Sequence, residues 1–297
     1  MARVAGGILG LAILVGHAAA GWAYDASGDR MFPATLLLPQ LAPGDETYVN
    51  ANTLPLAGGA AGTRSSNLTA TYMKTITDNF GIAIEETWTA IGQSGASTLY
   101  GWQNLDGELK YLAVNNIDHE LLFSLGLDRE TGDTGALRVG ASPSGATTPR
   151  AYVAKGLGDL DIGYLRPLAV EGFAGIQLAD KAPRPDVTQG GFVLEYSIPY
   201  LQSKVQSLDM PDILRNLTPM TEVFFTIPTG RSFGARSTTL IAPGVSYAGE
   251  GWELAVEALL PQTGATGTGV GVTAQLHLAL DFLFPDSVVG KPLISTR

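Results

Sequence analysis

The chain has 297 residues, 45% of them hydrophobic and only 15% charged, with 37 Gly, 17 Pro, no Cys and a formal charge of −10. Soluble domains carry roughly a quarter charged residues, so Gly, Ser, Thr, Asn and Gln must here supply the water-facing surface. The acidic balance argues against a nucleic-acid partner, which calls for clustered Lys and Arg. The missing Cys excludes disulfide frameworks, Cys-containing zinc sites and thiol catalysis.

In chain order, Arg3, the apolar stretch from Val4 to Val15 and Ala18-Ala19-Ala20 have the order of a secretory signal peptide cleaved near Ala20. The stretch is shorter than the roughly 20 apolar residues of a spanning helix, and Gly6, Gly7 and Gly10 weaken it further. Removing residues 1–20 takes away Arg3, leaving 17 basic against 28 acidic residues and a charge of −11. No later segment is apolar for long enough to form a spanning helix. Any transmembrane structure must therefore be a closed β-barrel.

Residues 21–66 contain Pro33, Pro39, Pro43, Pro55 and the glycine-rich run 58–62. They predict an irregular periplasmic segment or a plug beneath a barrel. From about residue 67 to 284 the hydrophobic period is two, the period of a strand. Phe80, Ile82, Ile84, Trp88 and Ala90 share one face, as do Leu121, Phe123, Leu125 and Leu127, then Phe192, Leu194, Tyr196 and Ile198. Trp252, Leu254, Val256, Ala258 and Leu260 stand opposite Glu253, Ala255 and Glu257. Val270, Val272, Ala274, Leu276, Leu278, Leu280, Phe282 and Phe284 form the longest uninterrupted parity.

Candidate strands fall near 67–77, 80–91, 98–103, 108–114, 119–128, 136–142, 159–166, 169–179, 190–199, 220–228, 238–247, 252–260 and 268–284. Some must be fragments or extramembrane strands, because bacterial barrels keep even strand numbers. The expected fold is thus all-β: an antiparallel transmembrane β-barrel of about 12 strands over 67–284, with a tail at 285–297. Asp78-Asn79, Gly249-Glu250-Gly251 and the connection 261–268 separate alternating runs and predict hairpins. Leu201, Val205 and Leu208 have helical spacing and predict a short helix in a long loop. Glu85-Glu86 puts a carboxylate on each face, which calls for a bulge or a rim position.

Alternation alone does not say which face looks inward, since a soluble lipid-binding barrel alternates too. The polar faces decide: they are mostly Gly, Ala, Thr and Gln rather than the Lys and Glu of a wet exterior, as befits a lumen. Trp88, Trp252, Tyr247, Phe282 and Phe284, near strand ends, are candidates for the membrane interface, or else simply large apolar residues.

Gly156-Leu157-Gly158-Asp159-Leu160 and, downstream, Ile227-Pro228-Thr229-Gly230 are motifs through which the chain resembles the outer-membrane barrel family associated with meta-pathway phenol degradation. In that family the Gly-Asp segment starts a strand and the Pro-Thr-Gly segment ends one. Gln275-Leu276-His277, Asp281-Phe282-Leu283-Phe284-Pro285 and Gly290-Lys291-Pro292 resemble the ends of uncharacterised exported proteobacterial barrels. The resemblance covers about residues 67–297. It implies an outer-membrane location in a Gram-negative bacterium and passage of hydrophobic or aromatic compounds. The chain departs from the common pattern of a terminal aromatic, since Phe284 is followed by residues 285–297.

No enzymatic role, cofactor or metal is expected. Only His119 and His277 follow the signal segment, which limits imidazole chemistry. No G-x-S-x-G elbow is present, and 267–271 lacks the Lys of a phosphate loop. Gln275, His277 and Asp281 share a polar parity. They form a candidate solute-contacting lumenal cluster, with a wall-stabilising hydrogen-bond network as the alternative. Glu253, Glu257, Glu195 and Asp161 are further lumenal candidates that would favour cations or hydrogen-bond a solute, or else pair with Lys74, Arg138 or Arg166. The expected partners are outer-membrane lipid, a small hydrophobic solute and the envelope assembly machinery during insertion. The alternatives are a structural or interaction barrel with a filled lumen and a soluble periplasmic lipid-binding protein.

Overall fold

The computed structural model describes residues 25–56, 62–230 and 232–294. The expected signal peptide, residues 1–20, lies outside them. A short hairpin of β1 (Asp25–Ser27) and β2 (Arg30–Phe32) comes first. The main sheet runs through β3 (Glu46–Pro55), β4 (Arg64–Thr77), β5 (Phe80–Gly92), β6 (Leu99–Trp102), β7 (Asp106–Asn116), β8 (Leu121–Glu130) and β9 (Ala146–Gly156). It continues through β10 (Leu168–Ala179), β11 (Asp186–Tyr196), β12 (Leu217–Thr229), β13 (Thr238–Gly249), β14 (Trp252–Pro261) and β15 (Gly271–Ala279).

Every pairing is antiparallel, and β3 pairs with both β15 and β4: Val49 stands opposite Leu276 on one side and Ala70 on the other. The sheet therefore closes on itself. β6 and β7 both pair with β5, with Trp102 opposite Trp88 and Asp106 opposite Glu85. Three residues on one strand oppose two on the other between these pairs, so β6 and β7 form one wall strand with a bulge at 103–105. Counted this way the barrel has twelve strands.

The apolar parity faces outward. On β14, Leu254 is 52% and Val256 46% exposed, whereas Glu253 is 1% and Glu257 2%. The same inversion holds on β8, where Leu125 and Leu127 are exposed while Leu122, Ser124 and Asp128 are buried, and on β15, where Val272 and Leu276 are exposed while Thr273, Gln275 and His277 are buried. A water-soluble barrel would reverse this order. An outer belt of Leu, Val, Ile and aromatic residues around a polar interior is what lipid on one side and a lumen on the other select.

Several boundaries differ from the sequence expectation. The barrel begins at Glu46, not 67: β3 lies in the segment expected to be irregular, and its outward residues Thr47, Val49, Ala51 and Thr53 are too small and polar to show an apolar parity. β9 escaped notice because Pro149 and Arg150 interrupt its alternation. Regions 136–142 and 159–166 are connections, each with one short 3-10 turn. In the motif at 156–160, Gly156 closes β9 and Asp159 lies in the following connection, while Thr229 does end β12.

The expected strand at 268–284 stops at Ala279, where Leu280 N–H turns to donate to Asp45 O and a helical turn, Leu280–Leu283, follows. A helical conformation covers Ile198–Val205 in the long connection between β11 and β12, as the spacing predicts.

Both described chain ends lie at one mouth of the barrel, where β3 starts and β15 stops. This terminal mouth carries the tight turns at 78–79, 117–120 and 250–251, and the connections 157–167 and 197–216. At 250–251 the chain reverses through Gly251, whose φ of +72° and contact with Phe282 leave no room for a side chain. The far mouth carries the connections 131–145, 180–185 and 262–270, together with residues 93–98 leading into β6.

Candidate functional site: a lumen occupied by its own chain

After β2 the chain does not cross beneath the barrel. It enters the lumen from the terminal mouth, turns near mid-depth and returns to begin β3. Pro33, Pro39 and Pro43 suit it, since an inserted strand of irregular backbone cannot join the wall ladder. Its backbone polar groups must be satisfied by the wall instead.

The wall supplies them from acidic, amide and lysine side chains. Glu222, on β12, accepts three amides of the inserted turn: Leu36 N–H at 2.6 Å on Oε1, and Leu37 and Leu38 N–H at 2.9 and 3.1 Å on Oε2. Glu253, on β14, accepts Ala34 N–H at 3.1 Å and the Ser246 hydroxyl. Asn50 Nδ2 donates to Leu36 O at 3.2 Å, Gln275 Nε2 to Thr35 O at 3.1 Å, and Lys110 Nζ to Gln40 O.

Apolar packing fills the other side. Phe32, Leu38 and Leu41 of the insert meet Leu122, Tyr152, Ala154, Ala169 and Phe173 of the wall. The Tyr152, Phe173 and Phe224 rings stack in a row, with successive centroids 6.1 Å apart. Gly191 opens the space that Leu38 uses, because a Cβ there would stand 3.1 Å from Leu38 Cδ1.

The insert is pinned at both ends. Arg30, fully buried, donates from Nε to Glu120 Oε2 at 3.0 Å, from Nη1 to Pro167 O at 3.2 Å and from Nη2 to Arg166 O, and its guanidinium lies 3.8 Å from the centre of the Tyr200 ring. Tyr200 OH donates to Glu120 Oε1 at 2.7 Å. Burial first, and then this bond to Glu120, push the Tyr200 phenol up to about 12. At the returning end, Asp45 accepts Lys74 Nζ at 2.6 Å, Thr75 N–H at 2.8 Å and the Thr75 hydroxyl at 2.7 Å.

Above the turn, on the far side, lies a cavity of about 220 Å³. Thr35–Gln40 form its floor, Tyr48, Asn50, Thr71 and Gln275 one wall, and Glu85, Asp106, Glu108, Lys110, Asp128 and Arg150 the other. It shares Glu85 and Asp106 with one opening toward Glu130, and Asn52 and Thr69 with another toward Leu56 and Ile91. Both adjoining pockets lie on the far-mouth side of the cavity.

Of the residues expected to line the lumen, Gln275, His277, Glu253, Glu257 and Glu195 are buried on the inward face. His277 Nε2 lies 2.7 Å from Glu46 Oε2, with Tyr48 edge-on to its ring. Asp281 is not part of this cluster, because the strand ends before it and leaves it exposed in the helical turn at the rim. Asp161 is exposed in the connection after β9, not inward on a strand. The expected cationic partners do not reach the lumenal carboxylates: Lys74 binds Asp45, and Arg138 and Arg166 donate to Tyr100 O and Leu160 O.

Trp88 stacks on Tyr100, centroids 5.5 Å apart, beside Trp102 on the outer face near the far mouth. Tyr247 stacks on Trp252 at 5.7 Å on the outer face near the terminal mouth. Phe282 and Phe284 sit in the segment after β15 at the terminal rim. Glu85 points inward to the Thr71 hydroxyl, while Glu86 takes the outward parity level with the bulge at 103–105. Sequence reading missed Glu222, Glu108, Asp128, Lys110 and Arg150. For Glu222 the available signal was a single ionisable residue between Met220 and Phe224 on its strand parity, whereas Asp106, Glu108 and Lys110 follow one another on the inner parity of β7.

The backbone is similar to that of an outer-membrane channel from Pseudomonas putida F1, with a TM-score of 0.52 and 12% identity over 84% of this chain and 99% of that one. The fold is that of an outer-membrane β-barrel. KdgM porin, with a TM-score of 0.47 and 12% identity, and NanC porin, with 0.49 and 8%, each match 78% of this chain and 98% of their own. No known family pattern and no curated protein matches the sequence.

Proposed function

We propose that the protein is an outer-membrane channel held shut by residues 33–45 of its own chain, with a passive route for small polar solutes on the far side of that barrier. The tight turns at the terminal mouth favour its facing the periplasm, as in bacterial barrels generally. One observation carries the reading: adjoining pockets extend from the cavity above Thr35–Gln40 toward the far mouth, and the insert floors the cavity on the terminal side.

A hydrophobic or aromatic solute, implied by the resemblance to the phenol-pathway family, finds little support in this lining. Carboxylates, amides, hydroxyls, Lys110 and Arg150 form most of the open side, beside Leu36, Leu37, Met73 and Tyr48, whereas the aromatic side is already filled by Phe32, Leu38 and Leu41. The polar lining directs the reading to solutes that hydrogen-bond. The channel reading also leaves no catalytic role for the buried carboxylates, several of which are engaged with backbone amides.

Single-channel recording in planar bilayers tests the proposal. The wild type is expected to stay closed or open rarely, and Glu222→Gln with Glu253→Gln to raise open probability at least tenfold. A second reading, a closed structural barrel, is favoured by the pinning of the insert at both Arg30 and Asp45. Silence of the folded double variant would establish it and remove the channel.

A further inference from the structure

Resting on the channel reading, we infer that the lumenal cavity is a binding site for a small organic cation carrying its own N–H donors, such as a diamine or a guanidinium compound. The charge arrangement on its wall carries the inference. Four carboxylates line the cavity, Glu85, Asp106, Glu108 and Asp128, against two cationic side chains, Lys110 and Arg150.

Both cations are already committed. Lys110 Nζ lies 3.3 Å from Glu108 Oε2 and donates to Gln40 O, tying the wall to the insert. Arg150 Nη1 lies 3.1 Å from Asp128 Oδ2 and 3.8 Å from Glu108 Oε1. Glu108 and Asp128 are thereby matched. Glu85 and Asp106 form no ion pair within 4 Å: Glu85 receives the Thr71 hydroxyl at 2.8 Å, and Asp106, opposite Glu130 across β7 and β8 and diagonal to Asp128, has its buried Oδ1 lacking a donor. Burial in a partly enclosed site penalises the ionised form of both carboxylates, and an arriving counter-charge would offset that penalty.

An independent acceptor points into the same space. Gln275, only 3% exposed, is oriented by its Nε2 donating to Thr35 O, and its Oε1 has no donor. The unpartnered donor on the wall, Arg150 Nε, belongs to a guanidinium that already faces two carboxylates. The unmatched groups therefore ask mainly for hydrogen-bond donors and positive charge. The Tyr48 side chain lines the same cavity and adds aromatic surface of the kind that attracts cations.

Size and ligand geometry narrow the class. At about 220 Å³ the cavity is below the roughly 300–1,000 Å³ of drug-sized sites. Among the described residues no three His, Asp or Glu converge to hold a metal ion. A cation that donates hydrogen bonds to Glu85, Asp106 and Gln275 suits the site better than a bare ion.

Calorimetric titration of the detergent-solubilised full chain with putrescine, and separately with succinate as an anion of similar length, tests this. Putrescine is expected to bind, succinate not to. Glu85→Gln should weaken putrescine at least tenfold, and Glu85→Gln with Asp106→Asn should weaken it further, each variant being checked for a heat-modifiable folded band. Tighter binding of succinate, unchanged putrescine affinity in the folded variants, or tighter binding and displacement by Mg²⁺ would each overturn the inference. Binding is read without current, so a barrel that binds putrescine but never conducts refutes the channel and leaves the site standing.

Discussion

Glu222 on the wall holds the Leu37 amide of the inserted turn at 2.9 Å, with the Leu36 and Leu38 amides on either side of it. One carboxylate thus stands in for the strand partner that these three residues lack. A glutamine there turns one acceptor oxygen into a donor facing a donor, and a buried N–H left unpaired costs about 1–3 kcal/mol. Glu222→Gln is expected to lower hydrogen-exchange protection of the Leu36–Leu38 amides by roughly ten- to a hundredfold, while protection in β12 itself is kept. Equal loss across β12 would mean that the residue supports the wall, not the insert.

The outward parity predicts a depth-dependent penalty for charge. Val256, near the middle of β14, is 46% exposed on the lipid side. Val256→Arg should cost about 2–4 kcal/mol of folding free energy in vesicles, the range for a cation near the bilayer midplane. Thr273→Ser, on the inner face of β15, should cost less than about 1 kcal/mol. Urea titration of both variants measures the difference, and similar costs at the two positions would contradict the assignment of faces.

The barrel was legible in the sequence because lipid imposes period two on strands such as β5, β8, β14 and β15. The start of the barrel was not. β3 faces outward with Thr47, Val49, Ala51 and Thr53 and inward with Glu46, Tyr48, Asn50 and Asn52, so neither face shows an apolar run. The end was blurred for the opposite reason: the apolar parity continues to Phe284, but the Asp45 carbonyl captures the Leu280 and Asp281 amides and the strand stops. Of the prolines in residues 21–66, Pro33, Pro39 and Pro43 fall in the stretch that enters the lumen, whereas Pro55 ends β3. What they could not convey is that the acidic lumen serves the plug's backbone. Glu253 and Glu222 find amides 219 and 184–186 residues away in sequence. His277 and Gln275 were found because they lie on a clean strand. Asp281 and Asp161 were misplaced because parity was extended past strand ends.

Arg30 anchors the start of the insert, and its removal should free that segment. Breaking a buried pair by removing one partner costs about 3–5 kcal/mol, since the other charge stays behind. Arg30→Met is therefore expected to expose residues 28–45 to limited proteolysis from the terminal mouth. Adding Glu120→Gln should restore part of the resistance. Resistance as in the wild type for Arg30→Met would show that Asp45 and Glu222 suffice.

Tyr200 supplies an alkaline signature at the same latch. Its phenol ionises near 12, against about 10 for an unperturbed tyrosine. A raised value means that the fold favours the neutral phenol. The contribution is complete below about pH 10 and is lost as the pH rises toward 12. Ultraviolet titration should show a late tyrosinate step that is absent in Tyr200→Phe. On the acid side, the Lys155 ammonium and then His119 hold Asp159 below the usual carboxylate range. Its contribution is present above about pH 4 and fades as the pH falls through that lowered value.

Nitroxide scanning of β8 reads which face of the wall meets lipid, and the chain has no native cysteine to compete with introduced ones. Single cysteines at 123–128 are labelled in the refolded protein in vesicles, and collisions with molecular oxygen, which concentrates in lipid, are measured. High oxygen accessibility is expected at 125 and 127 and low accessibility at 124 and 128, alternating with period two. Maxima at 124 and 128, or no alternation, would contradict a cylinder with its greasy face in lipid and its own chain folded into the lumen.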